Sequence, residues 1–308
     1  MPDVLQKLRL GTRASPLARW QADWVAAQLT KLGASVELVP ITTQGDVKSG
    51  PLGQIGGQGL FTKELQRALL DQTIDLAVHS LKDLPTSQIA GLIIAAVPER
   101  ESVRDVLVSA KALTIDELPR GARIGTGSLR RKSQLLNLRP DLVIEDIRGN
   151  VETRLRKLEE GQYDALILAE AGLKRLGFEH RITFALPATI MLSAVGQGAL
   201  GIETREDDRQ TLDWVGQLNH EASHQAITAE RTLLAELRAG CLAPVGAWAR
   251  LEGDRMQLDA VVLNPQGTAR ITASDAGDPA EAAELGRRVA EQLQSQGAAD
   301  LINAAHRP

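Results

Sequence analysis

Cysteine is almost absent from the sequence, because one thiol, Cys241, occurs in 308 residues. A single cysteine cannot form an internal disulfide, which excludes the disulfide-stapled class of small secreted domains and fits a reducing compartment. Long apolar runs are also absent, and none approaches the ~18 residues of a membrane span. Residues 1–8 lack a basic start followed by an apolar block. We therefore expect no secretory signal and a cytoplasmic protein.

An excess of positive charge is missing as well. Lys and Arg number 35 against 39 Asp and Glu, a net charge of −4, which argues against a generally basic surface for nucleic acid. The hydrophobic fraction of 43% and the charged fraction of 24% are typical of globular proteins. A chain of this length exceeds one ordinary core, so we expect two or three domains.

Short apolar segments alternate with amphipathic helical segments over the first two-thirds of the chain, a pattern typical of α/β layers. The predicted strands are Leu8–Thr12, Val36–Thr42, Asp75–His79, Leu92–Val97, Val106–Ser109, Arg123–Gly125, Leu142–Asp146 and Ala165–Ala169. The predicted helices are Leu17–Leu32, Lys63–Leu70, Leu129–Leu138 and Val151–Glu160. Strand, turn and helix recur in residues 1–98 and in 105–190, which predicts two α/β domains.

The last third of the chain has a different pattern. A helical run extends from Leu212 to Leu237 with a break near Asn219, and a final helix is predicted over Pro279–Gln296. Between them, three strands are predicted at Val245–Leu251, Gln257–Leu263 and Thr268–Ala273. This pattern predicts a smaller α+β domain with Cys241 at its helix-to-strand junction.

Arginines lie where predicted strands end and helices begin, at positions Arg13, Arg130, Arg131, Arg148 and Arg154. Helix N-termini attract anions, and a guanidinium group matches a carboxylate with two parallel hydrogen bonds. Open α/β sheets bind ligands at the carboxyl ends of their strands. The pattern predicts a cleft for a ligand with several carboxylates or phosphates. The glycines at Gly125–Ser128 and Gly56–Gly59 lack the spacing of a nucleotide-binding loop.

Two reactive side chains stand out beside the arginines. Asp83 follows a predicted strand and adjoins Lys82, so it could move a proton or stabilise a developing cation; the alternative is an ordinary surface Lys–Asp turn pair. Cys241 lies between Gly240 and Pro244, which predicts a loop and makes it a candidate attachment point. The alternative for Cys241 is a small buried apolar residue.

His220, Glu221 and His224 match the short H-E-x-x-H pattern of zinc hydrolases. The pattern arises by chance, and a third histidine six residues further on is absent. Glu230 occupies that spacing and keeps the alternative open. We expect no metal site.

Six motifs, in order and over nearly the whole chain, resemble those of the porphobilinogen deaminases, also called hydroxymethylbilane synthases. The motifs are Thr12–Ala18, Val78–Pro85, Gly125–Arg131, Arg148–Val151 with Arg154, Val195–Gly198, and Gly240–Cys241. The resemblance implies two α/β domains like type II periplasmic binding proteins and a smaller C-terminal α+β domain. It implies domain bounds of 1–98 plus 199–217, 103–193, and 220–308.

The resemblance also implies a deaminating transferase of tetrapyrrole (haem) biosynthesis. Such an enzyme joins four porphobilinogen units head to tail into linear hydroxymethylbilane, with release of ammonia, and works as a monomer. It implies a dipyrromethane cofactor in thioether linkage to Cys241 and a catalytic carboxylate at Asp83. The implied binding residues are Arg13, Ser15, Ser80, Lys82, Thr126, Ser128, Arg130, Arg131, Arg148, Arg154, Arg175 and Gln197.

Gln54 and Gln58 depart from the family pattern, which often has lysine at these positions. A neutral amide replaces a charge-assisted contact only in part, so we expect a weaker hold on cofactor carboxylates or compensation elsewhere. Two rival functions remain. One is a non-catalytic carboxylate-binding module of periplasmic-binding-protein type, which would form no covalent adduct. The other is a zinc hydrolase built on His220 and His224.

Overall fold

A computed structural model describes residues 7–43, 62–240 and 243–305. Gln54, Gln58 and Cys241 lie outside the described residues. The chain divides into two compact units, Met1–Arg100 with Ala199–His224, and Glu101–Gly198 with Gln225–Pro308. Across the described ranges, no helix has both the length and the apolar character to cross a membrane.

The secondary structure is numbered here in chain order. The strands are β1 (Leu8–Thr12), β2 (Val36–Pro40), β3 (Leu76–Ser80), β4 (Leu92–Ala96), β5 (Asp105–Ser109), β6 (Arg123–Gly125), β7 (Val143–Glu145), β8 (Ala165–Ala169), β9 (Phe184–Ala185), β10 (Leu200–Arg205), β11 (Val245–Glu252), β12 (Arg255–Leu263) and β13 (Arg270–Gly277). The α-helices are α1 (Pro16–Lys31), α2 (Lys63–Leu70), α3 (Leu129–Leu138), α4 (Val151–Glu159), α5 (Glu170–Arg175), α6 (Arg209–Gly216), α7 (Glu221–Glu236), α8 (Ala282–Ser295) and α9 (Ala298–Ala304). Short 3₁₀ turns lie at Leu81–Asp83, Glu179–Arg181 and Pro279–Glu281.

The first unit contains a five-stranded sheet in the order β2-β1-β3-β10-β4. Strand β1 pairs in parallel with β2 and β3, whereas β10 pairs antiparallel with β3 and β4. The segment that follows Gly198 therefore returns to complete this sheet. Helix α1 buries Ala22, Val25 and Leu29 in the core against the sheet, as its amphipathic spacing predicts.

The second unit contains a five-stranded sheet in the order β7-β6-β8-β5-β9 and a three-stranded antiparallel sheet, β11-β12-β13. In the larger sheet β6 is parallel to β7 and β8, and β5 is antiparallel to β8 and β9. Strands β5 and β8 are buried on both faces, which matches their continuous apolar sequences. The predicted α/β layers with a smaller C-terminal α+β part are confirmed.

Several element bounds differ from the predictions. The third strand of the small sheet was predicted at Thr268–Ala273 but lies at Arg270–Gly277. The turn is longer than predicted because the Asn264 side-chain oxygen accepts hydrogen bonds from the backbone N–H groups of Thr268 and Ala269, at 2.9 and 3.1 Å. Helix α5 and strand β9 were missed because six and two residues are too short for a periodic pattern.

Candidate active site

Predicted site residues of the first unit follow two parallel strands. Because β1 and β3 pair in parallel, with Leu10 opposite Leu76, their carboxyl ends meet at one edge of the sheet. Arg13 and Ser15 follow β1 at this edge. Ser15 is the N-cap of α1, and its hydroxyl accepts a hydrogen bond from the Ala18 N–H at 3.4 Å.

Ser80, Lys82 and Asp83 lie at the end of β3. The 3₁₀ turn Leu81–Asp83 is closed by a hydrogen bond from the Leu84 N–H to the Leu81 carbonyl oxygen at 3.2 Å. Leu81 and Leu84 are buried, whereas Asp83 is exposed. With respect to the described residues, the Asp83 carboxylate makes no hydrogen bond or ion pair. Two buried leucines thus anchor a turn whose carboxylate has its lone pairs available.

Predicted site residues of the second unit also follow parallel strands. Strands β6 and β7 pair in parallel, with Gly125 opposite Glu145, so the turns after them share one edge. Thr126 and Ser128 follow β6, and the Ser128 hydroxyl caps α3 by accepting from the Arg131 N–H at 3.5 Å. Arg148 follows β7. The next helix, α4, is capped by Asn150, which accepts from the Thr153 N–H at 2.8 Å.

A buried ion-pair cluster, the Asp105 cluster, joins Asp105, Arg130, Arg131 and Gln197. Arg130 Nη2 donates to Asp105 Oδ2 at 2.7 Å, and Arg131 donates to Oδ1 from Nη2 and Nε at 2.7 and 3.0 Å. Gln197 Nε2 donates to the same Oδ1 at 2.9 Å. Burial raises the pKa of Asp105, but the two guanidinium charges outweigh it and lower the pKa to about 2.

Arg130 and Arg131 differ from the expectation of cleft-lining arginines. They are only 3% and 6% exposed, and Asp105 is fully buried. Arg130 Nη1 also donates to the Leu192 carbonyl at 2.6 Å, and Arg131 Nη1 donates to the Ile167 carbonyl at 2.9 Å. The buried Nε of Arg130 has no hydrogen-bond partner in the described part of the chain. The cluster therefore contains one buried N–H donor that is unsatisfied within these residues.

The other predicted arginines of the second unit are less buried. Arg154 Nε donates to the Gly149 carbonyl at 2.9 Å, and Arg175 Nη2 donates to the Gly198 carbonyl at 2.7 Å. Burial lowers the pKa of Arg175 to about 10, against the attraction of Glu101. Arg148 is half-buried, and its guanidinium group has no partner among residues 7–43, 62–240 and 243–305. Arg148 thus has its full donor capacity in this structure.

The Val195–Gly198 motif requires glycine at Gly198. Its φ is +84°, and a Cβ atom there would lie 2.3 Å from the carbonyl oxygen of Glu101. Only glycine avoids this clash while adopting a left-handed backbone. The tight path brings Gln197 to Asp105 and to the Val103 carbonyl, which accepts from Nε2 at 2.7 Å. The motif therefore positions one side of the Asp105 cluster.

Asp105 is the member of the cluster that sequence reasoning missed. Its arginine partners lie 25 and 26 positions later in the chain, and the sheet order alone brings β5 beside the start of α3. The one signal available was the adjacent pair Arg130 and Arg131. Two neighbouring arginines require a counter-charge where they are buried, but nothing in their spacing shows the burial or identifies the partner.

The H-E-x-x-H residues have other partners. His220 Nδ1 lies 2.9 Å from the Ser223 hydroxyl, and His224 Nδ1 lies 2.8 Å from Asn219 Oδ1. Glu230 is fully buried and accepts from the backbone N–H groups of Gly196 and Ala249 at 2.8 and 2.9 Å. In the described segments, no group of three or more His, Cys, Asp or Glu side chains could hold a metal ion.

Two family models match the chain. The model described as "Porphobilinogen deaminase, dipyromethane cofactor binding domain" matches residues 8–213, and "Porphobilinogen deaminase, C-terminal domain" matches residues 224–295. Together they cover most of the chain in the order that the motifs predict.

Solved structures with a similar backbone include several binding proteins. The methionine-binding protein MetQ is 16% identical over 75% of this chain and 94% of its own, with a TM-score of 0.45. The periplasmic VFT2 domain of Bordetella pertussis BvgS is 13% identical over 69% and 86%, with a TM-score of 0.42. A methionine-bound nutrient-binding protein from Burkholderia cenocepacia is 13% identical over 74% and 95%, with a TM-score of 0.42. Scores below 0.5 do not carry a functional argument.

The family models decide among the rival functions that the sequence left open. Neither model describes a non-catalytic binding module or a zinc hydrolase, and the first describes the binding of a dipyrromethane cofactor. The chain therefore belongs to the porphobilinogen deaminase family, the deaminating transferases of tetrapyrrole biosynthesis that join porphobilinogen units into hydroxymethylbilane.

Proposed function

We propose that Asp83 is the catalytic carboxylate of this transferase and that the arginines of the second unit hold the carboxylates of the pyrrole chain. The observation that carries the proposal is the state of Asp83. Its carboxylate is exposed and has no partner in the described ranges, although it stands on a turn anchored by two buried leucines. A reactive group must keep its lone pairs for the substrate, and Asp83 does so on a fixed support.

The reaction explains why a carboxylate is needed. The aminomethyl group of the substrate reacts in its protonated form, –CH2–NH3⁺, so that its C–N bond breaks and neutral ammonia leaves with the electron pair. The methylene carbon then bonds to the α-carbon of the terminal pyrrole, which loses a proton. Positive charge develops on the substrate pyrrole as ammonia departs. A carboxylate that accepts a hydrogen bond from the pyrrole N–H stabilises that charge, and this is the role we assign to Asp83.

The second unit has the donors that a dipyrromethane requires. Each pyrrole carries an acetate and a propionate, so the group presents several carboxylates. Two guanidinium groups against one carboxylate leave the Asp105 cluster with one net positive charge. Arg148 adds a guanidinium group without a partner in the described residues. Buried cations bind carboxylates well because the local dielectric constant is low.

We assign the cofactor's attachment to Cys241, which lies outside the described residues. When bound, dipyrromethane supplies the terminal pyrrole carbon to which the first porphobilinogen is joined. The protein's own residues would orient that group, balance its charge and fix the position of the Asp83 carboxylate. Arg13, Ser15, Ser80 and Lys82 would contact substrate or cofactor at the edge of the first unit.

The proposal also covers organisation and location. We assign domains at 1–98 plus 199–217, 103–193 and 220–308, which is supported by β10 and α6 belonging to the first unit. We further propose a cytoplasmic monomer that binds no nucleic acid, supported by the single cysteine and the net charge of −4. Light scattering coupled to gel filtration tests the monomer, with a mass of 33.1 kDa plus cofactor expected.

Intact-mass measurement under denaturing conditions tests the chemistry. The purified protein should exceed its sequence mass by two pyrrole units mapped to Cys241, and added porphobilinogen should raise the mass in steps of one pyrrole. Cys241→Ser should carry no adduct. A wild-type mass that equals the sequence mass, and that neither porphobilinogen nor preformed product changes, would contradict the proposal.

A further inference from the structure

A buried polar cluster, the Glu203 cluster, lies behind the Asp83 turn in the first unit and consists of Gln66, His79 and Glu203. His79 Nε2 lies 2.9 Å from Glu203 Oε2, and Gln66 Nε2 donates to Glu203 Oε1 at 2.9 Å. The three residues are 6%, 4% and 5% exposed. Both oxygens of a buried carboxylate are therefore bound by side chains from other elements.

Stability alone does not explain such a cluster. Desolvating a carboxylate is costly, and apolar residues of similar shape often stabilise a core as well or better. Buried polar groups instead specify one arrangement, since breaking it leaves an unsatisfied charge. What they specify here is the end of β3, because His79 is the residue before Ser80 and lies four positions before Asp83.

The returning strand β10 ties the cluster to the Asp83 turn. Gly201 pairs with His79 and Leu200 with Ser80 across the β3–β10 ladder. The first residue of the turn, Leu81, donates its N–H to the Ala199 carbonyl at 3.1 Å. A Cβ atom on Gly201 would lie 2.5 Å from the Leu81 side chain. The strand that carries Glu203 thus also packs directly against the turn.

The opposite face of the sheet has a matching contact. Gln21 on α1 is buried and donates from Nε2 to the Ser80 hydroxyl at 2.8 Å. Successive strand residues point to opposite faces, so His79 is held from the α2 side and Ser80 from the α1 side. The last two residues of β3 are held from both faces, which prevents the strand end from rotating about its axis.

We infer that Glu203 and His79 are positioning residues that fix the direction of the Asp83 carboxylate. The inference rests on the proposed function of Asp83. Neither residue touches the substrate. If the cluster is broken, the strand end can rotate and the turn moves with it. A misplacement of about 1 Å at a reacting group can lower a rate by roughly 100-fold.

The test measures each porphobilinogen addition on holoenzyme whose dipyrromethane content has been verified by mass. Glu203→Gln and His79→Asn should slow the addition by roughly 10- to 100-fold while KM changes by less than about 3-fold. The double variant should be no slower than the slower single variant, because the two residues act as a unit. If Glu203→Gln does not fold, His79→Asn carries the test.

Asp75→Asn is the matched control. Asp75 is buried at the other end of β3 and accepts hydrogen bonds from Arg9 Nε and Nη2 at 3.1 and 2.7 Å. It should lower the unfolding temperature as the cluster variants do, but leave the addition rate per loaded enzyme unchanged. A merely structural cluster would give the same result for all three variants, and this would overturn the inference.

Asp83→Asn in the same assay separates the two proposals. A slow Asp83→Asn together with unchanged Glu203→Gln and His79→Asn would overturn the positioning role alone. A normal rate for Asp83→Asn would overturn the proposed function and the positioning role with it.

Discussion

The Asp83 turn and the Asp105 cluster each contain one aspartate, but the two aspartates differ in burial and in their partners. In the first unit the aspartate is exposed, and the groups that support it are buried. In the second unit the aspartate is fully buried, and the arginines that it supports are the groups assigned to the ligand. The Asp83 carboxylate makes no hydrogen bond within the described residues, whereas both oxygens of Asp105 accept hydrogen bonds from arginines.

The supports differ in kind as well. Hydrogen bonds to Ser80 and His79 hold the end of β3 from both faces of the sheet. The Asp105 cluster combines hydrogen bonds with two positive charges and one negative charge in a region of low dielectric constant. We call the Asp83 turn with its supporting residues the first assembly and the Asp105 cluster the second. Changes in the first assembly should alter chiefly the rate of porphobilinogen addition. Changes in the second should alter the stability of the protein and its retention of the ligand.

Asp105→Asn should have the largest effect and would break the second assembly. Removing the carboxylate leaves two buried guanidinium groups without a counter-charge, which costs about 3–5 kcal/mol of folding free energy. Chemical denaturation of purified protein measures the change, and dipyrromethane content should fall as well. Asp141→Asn serves as a control, because the Arg139–Asp141 pair is more exposed and should matter less. Equal losses in both variants would contradict the assigned importance of the Asp105 cluster.

Asp83→Asn should lower the rate of turnover without changing the stability of the protein. Loss of the negative charge removes stabilisation of the developing cation, so we expect turnover to fall by roughly 100- to 1,000-fold. The unfolding temperature should stay near that of the wild type, since the carboxylate makes no hydrogen bond or ion pair with the described residues. Steady-state kinetics measures the effect. Asp71→Asn changes another exposed aspartate of the first unit, and it should leave turnover unchanged.

The stability of the second assembly should depend on pH in the acid range. The folded-state pKa of Asp105 is about 2, below its ordinary value of 3.8. A lowered pKa means that the unfolded chain binds more protons, so the contribution is complete above about pH 4 and is lost as the pH falls towards 2. Denaturation midpoints measured across this window should decrease less steeply in Asp105→Asn than in the wild type. An equal pH dependence of the denaturation midpoint in the wild type and in Asp105→Asn would contradict the lowered pKa of Asp105.

Local signals in the sequence predicted where helices α1 and α3 begin, whereas long-range contacts could not be predicted from it. Ser15 and Ser128 could be predicted at helix starts because each N-cap bonds a residue three positions later. Glu203 lies 124 positions from His79, and its role depends on β10 returning between β3 and β4. Asp105 meets Arg130 and Arg131 for the same reason. Strand order is a property of the whole sheet and leaves no spacing pattern.

Arg148→Leu should have the smallest effect of these substitutions. It tests whether an arginine outside the Asp105 cluster contributes to binding the pyrrole chain. Arg148 is half-buried and has no side-chain partner in the described parts of the chain, so its loss should not destabilise the protein. One charge-assisted contact to a carboxylate is lost, which corresponds to a roughly 10-fold weaker hold on the pyrrole chain. Native mass spectrometry of the elongation intermediates measures this weaker binding, and early intermediates should accumulate at low porphobilinogen concentration.

Two further variants serve as controls. Arg156→Leu, which removes an exposed arginine on α4 paired with Glu160, should leave the pattern of intermediates unchanged. Arg148→Lys should restore part of the hold, since the charge returns without the planar fork. An unchanged pattern in Arg148→Leu would exclude Arg148 from the binding of the pyrrole chain.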